Sequence, residues 1–127
     1  MAMTVKEAAS WLKARDKFLL LTHVRPDGDT IGSAAALCRA LRNMGKEAYL
    51  LKNDGITATY VAYAEELWAP EDYVPQFVVS VDIAATSLFI DKAEQYKMER
   101  IVQQAARCRV LLLHPCLLGI QSCIHYL

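Results

Sequence analysis

Four short, largely apolar runs limit most strongly how this chain can fold. They are residues 18–21, 48–51, 77–81 and 109–113. Runs of this length and composition are typical of strands that are buried on both faces of a sheet. The segments between them have helical character, which gives the order βαβαβαβ. This order predicts an α/β fold, a parallel sheet with flanking helices and right-handed crossovers.

The segments between the apolar runs show helical spacing and helix boundaries. Helices are predicted for residues 4–15, 30–44 and 57–68, and for a stretch from residue 86 or 87 to 106. Thr4 and Glu7 have the spacing of a capping box, and Gly45 stands where a helix C-terminal glycine belongs. The apolar faces of the first three helices are predicted to be core: Ala8, Trp11 and Leu12; Leu37, Cys38 and Leu41; Val61, Ala64, Leu67 and Trp68.

Composition narrows the function classes. The chain has 127 residues, 54% of them hydrophobic, and a formal net charge of zero. That length fits one domain or part of a larger one. A neutral chain has no global field to attract nucleic acid or an anionic membrane. The sequence also lacks a stretch long enough to span a membrane and a signal-peptide pattern, so we expect a cytoplasmic location and no membrane partner.

The segment that follows the first apolar run carries the most chemistry. His23, Asp27 and Asp29 bring one imidazole and two carboxylates into a short loop. Pro26 and Gly28 shape that loop, since proline fixes φ and glycine allows conformations that other residues avoid. Loops at the carboxyl ends of parallel strands are where open α/β sheets bind ligands. These donors fit a Mn²⁺, Mg²⁺ or Zn²⁺ site.

Two other interpretations of this segment stay open. Asp27 and Asp29 could be ordinary turn and helix N-cap residues. Gly32 and Ser33 begin a helix of small residues whose N-terminus can bind an anion. The chain could then be a nucleotide-binding α/β module without metal chemistry. The sequence has no G-x-G-x-x-G or Walker pattern to support that alternative.

A further aspartate, Asp82, directly follows the third apolar run. Neighbouring parallel strands end at the same edge of a sheet, so Asp82 can converge with the donors of the first loop. A carboxylate that bridges two metal ions about 3.5–4 Å apart is a standard arrangement for phosphoryl transfer. The alternative is that Asp82 caps the next helix or turn.

The stretch LTHVRPDGDTIGSAAAL, followed by VVSVDIA, resembles the DHH phosphoesterase family, and within it the nanoRNase/pAp-phosphatase group. The resemblance covers roughly residues 8–97. It implies a Rossmann-like DHH domain that hydrolyses short oligoribonucleotides, or nucleotide 3′-phosphates such as pAp, by a two-metal mechanism. It further implies that His23 and Asp27 hold one Mn²⁺, that Asp29 holds the other, and that Asp82 bridges them, with Mg²⁺ as an alternative ion. The implied partners are a small nucleotide or short single-stranded RNA or DNA, and a homodimer is an open alternative.

The chain departs from the family after the second motif. The Asp-His-His motif, expected some 20–25 residues beyond Asp82, does not occur; the nearest match is His114 before Pro115. The resemblance implies Asp82, as the bridging ligand, and His114, as the match to the second histidine of the motif, as candidate catalytic residues. The alternative for His114 is a loop histidine without a catalytic role. Residues 1–113 are interpreted as a partial, truncated DHH N-terminal domain and residues 114–127 as a divergent apolar tail. A catalytically inactive fragment is the main alternative.

Substrate contacts are assigned to Arg25, which lies inside the loop and could face a phosphate, and to Ser33 at the start of the second helix. A solvated loop charge is the alternative for Arg25. Tyr60, Tyr63 and Trp68 could stack on a base, but their helical spacing favours packing within the protein.

Overall fold

The chain forms an α/β unit built on one parallel sheet. The computed structural model describes residues 4–81 and the backbone of residues 111–113. The elements are α1 Val5–Lys13, β1 Phe18–Leu21, α2 Gly28–Asn43, β2 Ala48–Leu50, α3 Ala58–Ala64, a 3-10 turn Glu65–Leu67, β3 Phe77–Val81 and β4 Leu111–Leu113. The strand order is β2-β1-β3-β4, and every neighbouring pair is parallel. The predicted fold class is confirmed.

The central strand of the sheet is buried on both faces, as its largely apolar strands predict. All four residues of β1, which lies between β2 and β3, are buried. Successive side chains of a strand point to opposite faces. Phe18 and Leu20 therefore join the core that also contains buried residues of α1 and α2, while Leu19 and Leu21 pack with Val78 in a second cluster.

The first two helices follow the sequence pattern closely. The capping box at α1 is present: the Glu7 N–H donates to Thr4 Oγ1 at 3.2 Å, and the Thr4 N–H donates to Glu7 Oε2 at 2.7 Å. Gly45, just after α2, has a φ of 80°, in the left-handed region that glycine tolerates best. Cys38 is fully buried, and burial raises the pKa of its thiol to about 11. The capping box, the glycine at the helix end and the burial of Cys38 were predicted from the sequence and are confirmed.

The third predicted helix is shorter than its sequence pattern suggests. The α-helix ends at Ala64, and a 3-10 turn continues only to Leu67. Trp68 is extended and forms a parallel bridge with Leu50, next to which the Ala69 N–H donates to the Leu50 carbonyl at 2.8 Å. Pairing with the edge strand β2 thus ends the helix. Ala64 and Leu67 are buried as predicted, whereas Val61 and Trp68 are only half-buried.

The segment between Trp68 and β3 crosses the sheet on the face opposite helices α1, α2 and α3. Ala69 and Tyr73 pack there with Tyr49 of β2. The Tyr73 hydroxyl donates to the Phe18 carbonyl at 3.1 Å, and the rings of Tyr49 and Tyr73 are 4.6 Å apart in an edge-to-face arrangement. This path returns the chain past β1 to β3. The carboxyl ends of β1, β2 and β3 consequently share one edge of the sheet.

Three predictions lie outside the described residues: the helix from residue 86 or 87 to 106, the side chains of Asp82 and His114, and the tail at residues 114–127. Within the described part of the chain, no helix combines the length and apolar character needed to cross a membrane.

Candidate functional site

The loop between β1 and α2, residues 22–27, lies at the carboxyl edge of the sheet, where the sequence predicts the site. Thr22, directly after β1, is buried and His23 is half-buried. Asp27 and Asp29 are exposed, one just before α2 and the other within its first turn. The loop and the first turn of α2 therefore present one carboxylate each to solvent, while the first residues of the loop are anchored in the fold.

Asp27 is the N-cap of α2. Its backbone is extended, and its Oδ1 atom accepts a hydrogen bond from the Thr30 N–H at 3.0 Å. The helix therefore starts at Gly28, earlier than the predicted residue 30. The capping alternative considered for Asp27 is thus present in the structure. This hydrogen bond occupies only one oxygen of the Asp27 carboxylate, and the second oxygen retains its own acceptor sites. Asp29, in the first turn, places a negative charge where the helix dipole favours it.

The ring of His23 is oriented by its own loop. The Arg25 backbone N–H donates to His23 Nδ1 at 2.9 Å. An Nδ1 atom that accepts a hydrogen bond leaves the proton of a neutral imidazole on Nε2. A metal ion needs an unprotonated ring nitrogen, so ligation through either nitrogen of His23 requires the Arg25 N–H to leave Nδ1. The His23 ring must therefore turn away from the Arg25 N–H before it can bind a metal.

Thr30 links this loop to the end of β3. Its side chain is fully buried, and its hydroxyl donates to the Val81 carbonyl at 3.2 Å. The same oxygen accepts a longer hydrogen bond, 3.5 Å, from the His23 N–H. Because Val81 immediately precedes Asp82, Thr30 joins the segments that carry both predicted ligand motifs. In the sequence, Thr30 has only the appearance of a residue at the start of the second helix, and no pattern there indicates a role in the site.

Asn53 holds the loop from the other neighbouring strand. It follows β2 and is 1% exposed. Its Nδ2 atom donates to the His23 carbonyl at 2.7 Å and to Thr22 Oγ1 at 3.2 Å, and its Oδ1 atom accepts the Gly55 N–H at 2.9 Å. The sequence predicts a turn at residues 53–55, which is confirmed at residues 54 and 55. That turn pattern gives no sign that the Asn53 amide also fixes the loop after β1.

Two glycines allow close contacts around the loop. A Cβ atom at Gly55 would lie 2.8 Å from the Val24 carbonyl oxygen, so any other residue would push the two loops apart. A Cβ atom at Gly28 would lie 3.3 Å from the Tyr60 hydroxyl and 3.4 Å from the nearest carbon of its ring. Tyr60 of α3 therefore borders the N-terminus of α2, next to Asp27 and Asp29.

The residues assigned to substrate contacts lie in different surroundings. The Arg25 residue is exposed in the loop, and its structural contact to His23 uses its backbone rather than its guanidinium. Ser33 is only 5% exposed, so little of its surface is open to a ligand. Tyr60 and Trp68 are half-buried and pack against the core, as their helical spacing favoured, whereas Tyr63 is 60% exposed.

The donor types fit a hard divalent cation: an imidazole and carboxylates are ligands that Mn²⁺ accepts, and Mg²⁺ takes carboxylates readily. Within residues 4–81, no three His, Cys, Asp or Glu side chains are grouped closely enough to hold a metal ion. Asp82, which the sequence predicts as a shared ligand, lies outside the described residues, as does His114. The described residues thus supply donors of the right chemistry but do not by themselves form the complete group.

Part of the chain is similar in sequence to a known oligoribonuclease and phosphatase. No protein-family model matches the chain. A curated relative, the bifunctional oligoribonuclease and PAP phosphatase NrnA of Thermus thermophilus, is 37% identical over 75 residues. The matched stretch covers 59% of this chain and 21% of the relative. The chain is therefore similar to a limited part of a protein that acts on oligoribonucleotides and PAP.

Proposed function

We propose that this chain carries the first two metal-binding motifs of a DHH-type phosphoesterase centre. The observation that carries the proposal is the anchored loop of His23, Asp27 and Asp29 at the carboxyl edge of a parallel sheet, joined through Thr30 to the end of β3. The 37% identity over 75 residues to an oligoribonuclease and PAP phosphatase supports the same assignment. The substrate class is then a phosphate ester of a small nucleotide or of short single-stranded RNA.

In this proposal His23, Asp27, Asp29 and Asp82 hold Mn²⁺ or Mg²⁺. Such ions acidify a bound water and neutralise charge that develops on the phosphoryl group. In the same proposal, the N-terminus of α2 and the exposed Arg25 attract the phosphate. The family scheme also assigns a proton to the leaving oxygen from a histidine, for which His114 is the candidate in this sequence.

The absence of one motif from the sequence favours a second candidate function, binding with very little hydrolysis. The sequence contains no Asp-His-His triplet. Without that motif the second metal lacks a ligand and the leaving group lacks a placed acid, and general acid catalysis alone is worth about 10²–10⁴-fold. The second candidate is therefore a domain that binds metal and nucleotide but hydrolyses very little.

Titration calorimetry with MnCl₂ tests the metal site. We expect one tighter Mn²⁺ site, formed by His23, Asp27 and Asp82, and one weak site at Asp29. Asp27→Ala should abolish the tighter site, whereas Asp72→Ala, which removes an exposed loop carboxylate, should leave it unchanged. Two equally tight sites, or a tight site that persists in Asp27→Ala, would contradict the assignment. An absence of Mn²⁺ binding would overturn the proposed function.

Hydrolysis of pAp and of a dinucleotide then separates the two candidates. We expect turnover far below the usual enzyme range of about 1–10³ s⁻¹. Turnover within that range, lost in Asp82→Ala, would support the complete enzyme and a replacement for the missing motif. Turnover that survives in Asp82→Ala belongs to a contaminant.

A further inference from the structure

Thr30 makes hydrogen bonds that helix α2 does not need. Asp27 is the N-cap, so Thr30 occupies the third helical position. The cap uses the Thr30 backbone N–H, at 3.0 Å from Asp27 Oδ1. The side chain of Thr30 is therefore not required for capping. A threonine within a helix commonly turns its hydroxyl to a carbonyl of the preceding turn.

The hydroxyl instead reaches a strand 51 positions away in sequence. It donates to the Val81 carbonyl at 3.2 Å, and it accepts from the His23 N–H at 3.5 Å. Thr30 is fully buried, and a buried polar group without a partner costs about 1–3 kcal/mol. One hydroxyl thus satisfies a buried carbonyl at the end of β3 and supports the amide of the candidate ligand His23.

The Val81 carbonyl matters because of where it lies. The register of β1 and β3 ends at the pair Leu21 and Ser80, so Val81 is the first residue of β3 beyond its pairing with β1, while on its other side it pairs with Leu113 of β4. A peptide unit is planar. A hydrogen bond to the Val81 carbonyl therefore helps to fix the plane of the peptide unit with which β3 ends.

We propose that Thr30 is a positioning residue that holds the His23 loop and the end of β3 in one fixed arrangement. This inference rests on the proposed function, because it gives the coupling a purpose: keeping donors from two strands at the spacing that a shared metal site needs. Outer groups that orient metal ligands typically change metal affinity about 10–100-fold when they are removed.

The experiment compares two substitutions at Thr30 with one control. Thr30→Val keeps the shape and the backbone N–H that Asp27 accepts, but removes the hydroxyl. Thr30→Ser restores the hydroxyl. Ser80→Ala is the control. It removes a different buried hydroxyl, one that belongs to β3 and has no hydrogen-bond partner within the described part of the chain. Each variant is titrated with MnCl₂, and amide hydrogen exchange is recorded for residues 22–31 and, as a control region, for residues 5–13 of α1.

We expect Thr30→Val to weaken Mn²⁺ binding about 10–100-fold. The Mn²⁺ affinities of Thr30→Ser and Ser80→Ala should be close to that of the parent chain. The His23 amide should exchange faster in Thr30→Val, and the amides of α1 should not change. Wild-type affinity in Thr30→Val would overturn the inference. Equal weakening in Thr30→Ser would also overturn it, because the hydroxyl would then not be the cause.

The two proposals can fail separately. If the parent chain does not bind Mn²⁺, the proposed function is wrong. Hydrogen exchange at His23 then still decides whether the hydroxyl couples the two segments. If Thr30→Val does not fold, Thr30→Ala replaces it in the same comparison. If neither folds, the hydroxyl serves the fold as a whole and the inference is wrong.

Discussion

Helices α1 and α2 both begin with a side-chain cap, but the two caps connect different parts of the molecule. At α1, Thr4 is the N-cap and Glu7 is the third helical residue, and each side chain accepts the backbone N–H of the other. At α2, Asp27 is the N-cap and Thr30 is the third helical residue. The Asp27 carboxylate accepts the Thr30 N–H, but the Thr30 side chain bonds to β3 instead of returning to the cap.

The difference shows how the same helix position can serve either a local or a long-range purpose. The residues of the α1 box are exposed, and their bonds close within one turn, so they define where a helix starts and little else. Thr30 is buried and its partner belongs to another strand. The start of α2 thereby becomes part of the tertiary structure, at the edge of the sheet that carries the candidate ligands.

The largest effect should come from the amide that supports the loop before α2. Asn53→Ala removes hydrogen bonds to the His23 carbonyl, Thr22 Oγ1 and the Gly55 N–H, and leaves buried groups without partners. We expect a loss of about 3 kcal/mol in the free energy of unfolding, measured by chemical denaturation. Asn43→Ala, at the exposed end of α2, should change it by no more than about 0.5 kcal/mol. Similar small losses in both variants would show that the loop is not held by Asn53.

The next largest loss of stability should come from Thr30, which is the third helical residue of α2 as Glu7 is of α1. Thr30→Val leaves the Val81 carbonyl and the His23 N–H without their partner. We expect a loss of about 2 kcal/mol in the free energy of unfolding, again by denaturation. Thr30→Ser should recover most of it. A loss no greater than that of an exposed substitution, about 0.5 kcal/mol, would remove the contrast between α1 and α2.

Removing the Thr4 cap of α1 should reduce stability by less than the substitutions above and should leave the candidate metal site unaffected. Thr4→Ala deletes the acceptor for the Glu7 N–H at an exposed helix start. Such changes typically cost about 1 kcal/mol of stability. Mn²⁺ affinity, measured by calorimetry, should equal that of the parent chain. A fall in affinity comparable to that of Thr30→Val would mean that the α1 cap is not local in its consequences.

The smallest effect should appear only as a pH dependence. The Thr4 backbone N–H, followed by the Thr4 hydroxyl, holds the pKa of Glu7 below its ordinary 4.5. A carboxyl with a lowered folded pKa stabilises the protein above the unfolded pKa and loses that contribution as pH falls through the folded value. Glu7→Ala should therefore be less stable than the parent chain above about pH 4.5. The two denaturation midpoints should converge in more acidic solution, and a gap that persists unchanged to lower pH would contradict this.

Local patterns in the sequence were sufficient for much of the fold. The strand Phe18–Leu21 was predicted at the bounds observed, and the capping box at Thr4 and the helix-ending Gly45 were predicted correctly. Each depends on neighbours within a few positions. The third helix was predicted too long, because Trp68 pairs with β2, and that contact cannot be read from helical spacing.

The candidate site likewise has features that the sequence determined and features that only the tertiary structure decided. The sequence by itself determined the donor types, His23, Asp27 and Asp29, and their place after a buried strand, because chain connectivity alone puts that loop at the carboxyl edge of the sheet. Only the tertiary structure decided how the loop is held. Thr30 bonds 51 positions away and Asn53 bonds 30 positions away, and both are buried polar side chains that need a partner. In the sequence they have the appearance of a helix residue and a turn residue. Their roles arise only when the strands come together and bring each hydroxyl or amide opposite the backbone of another segment.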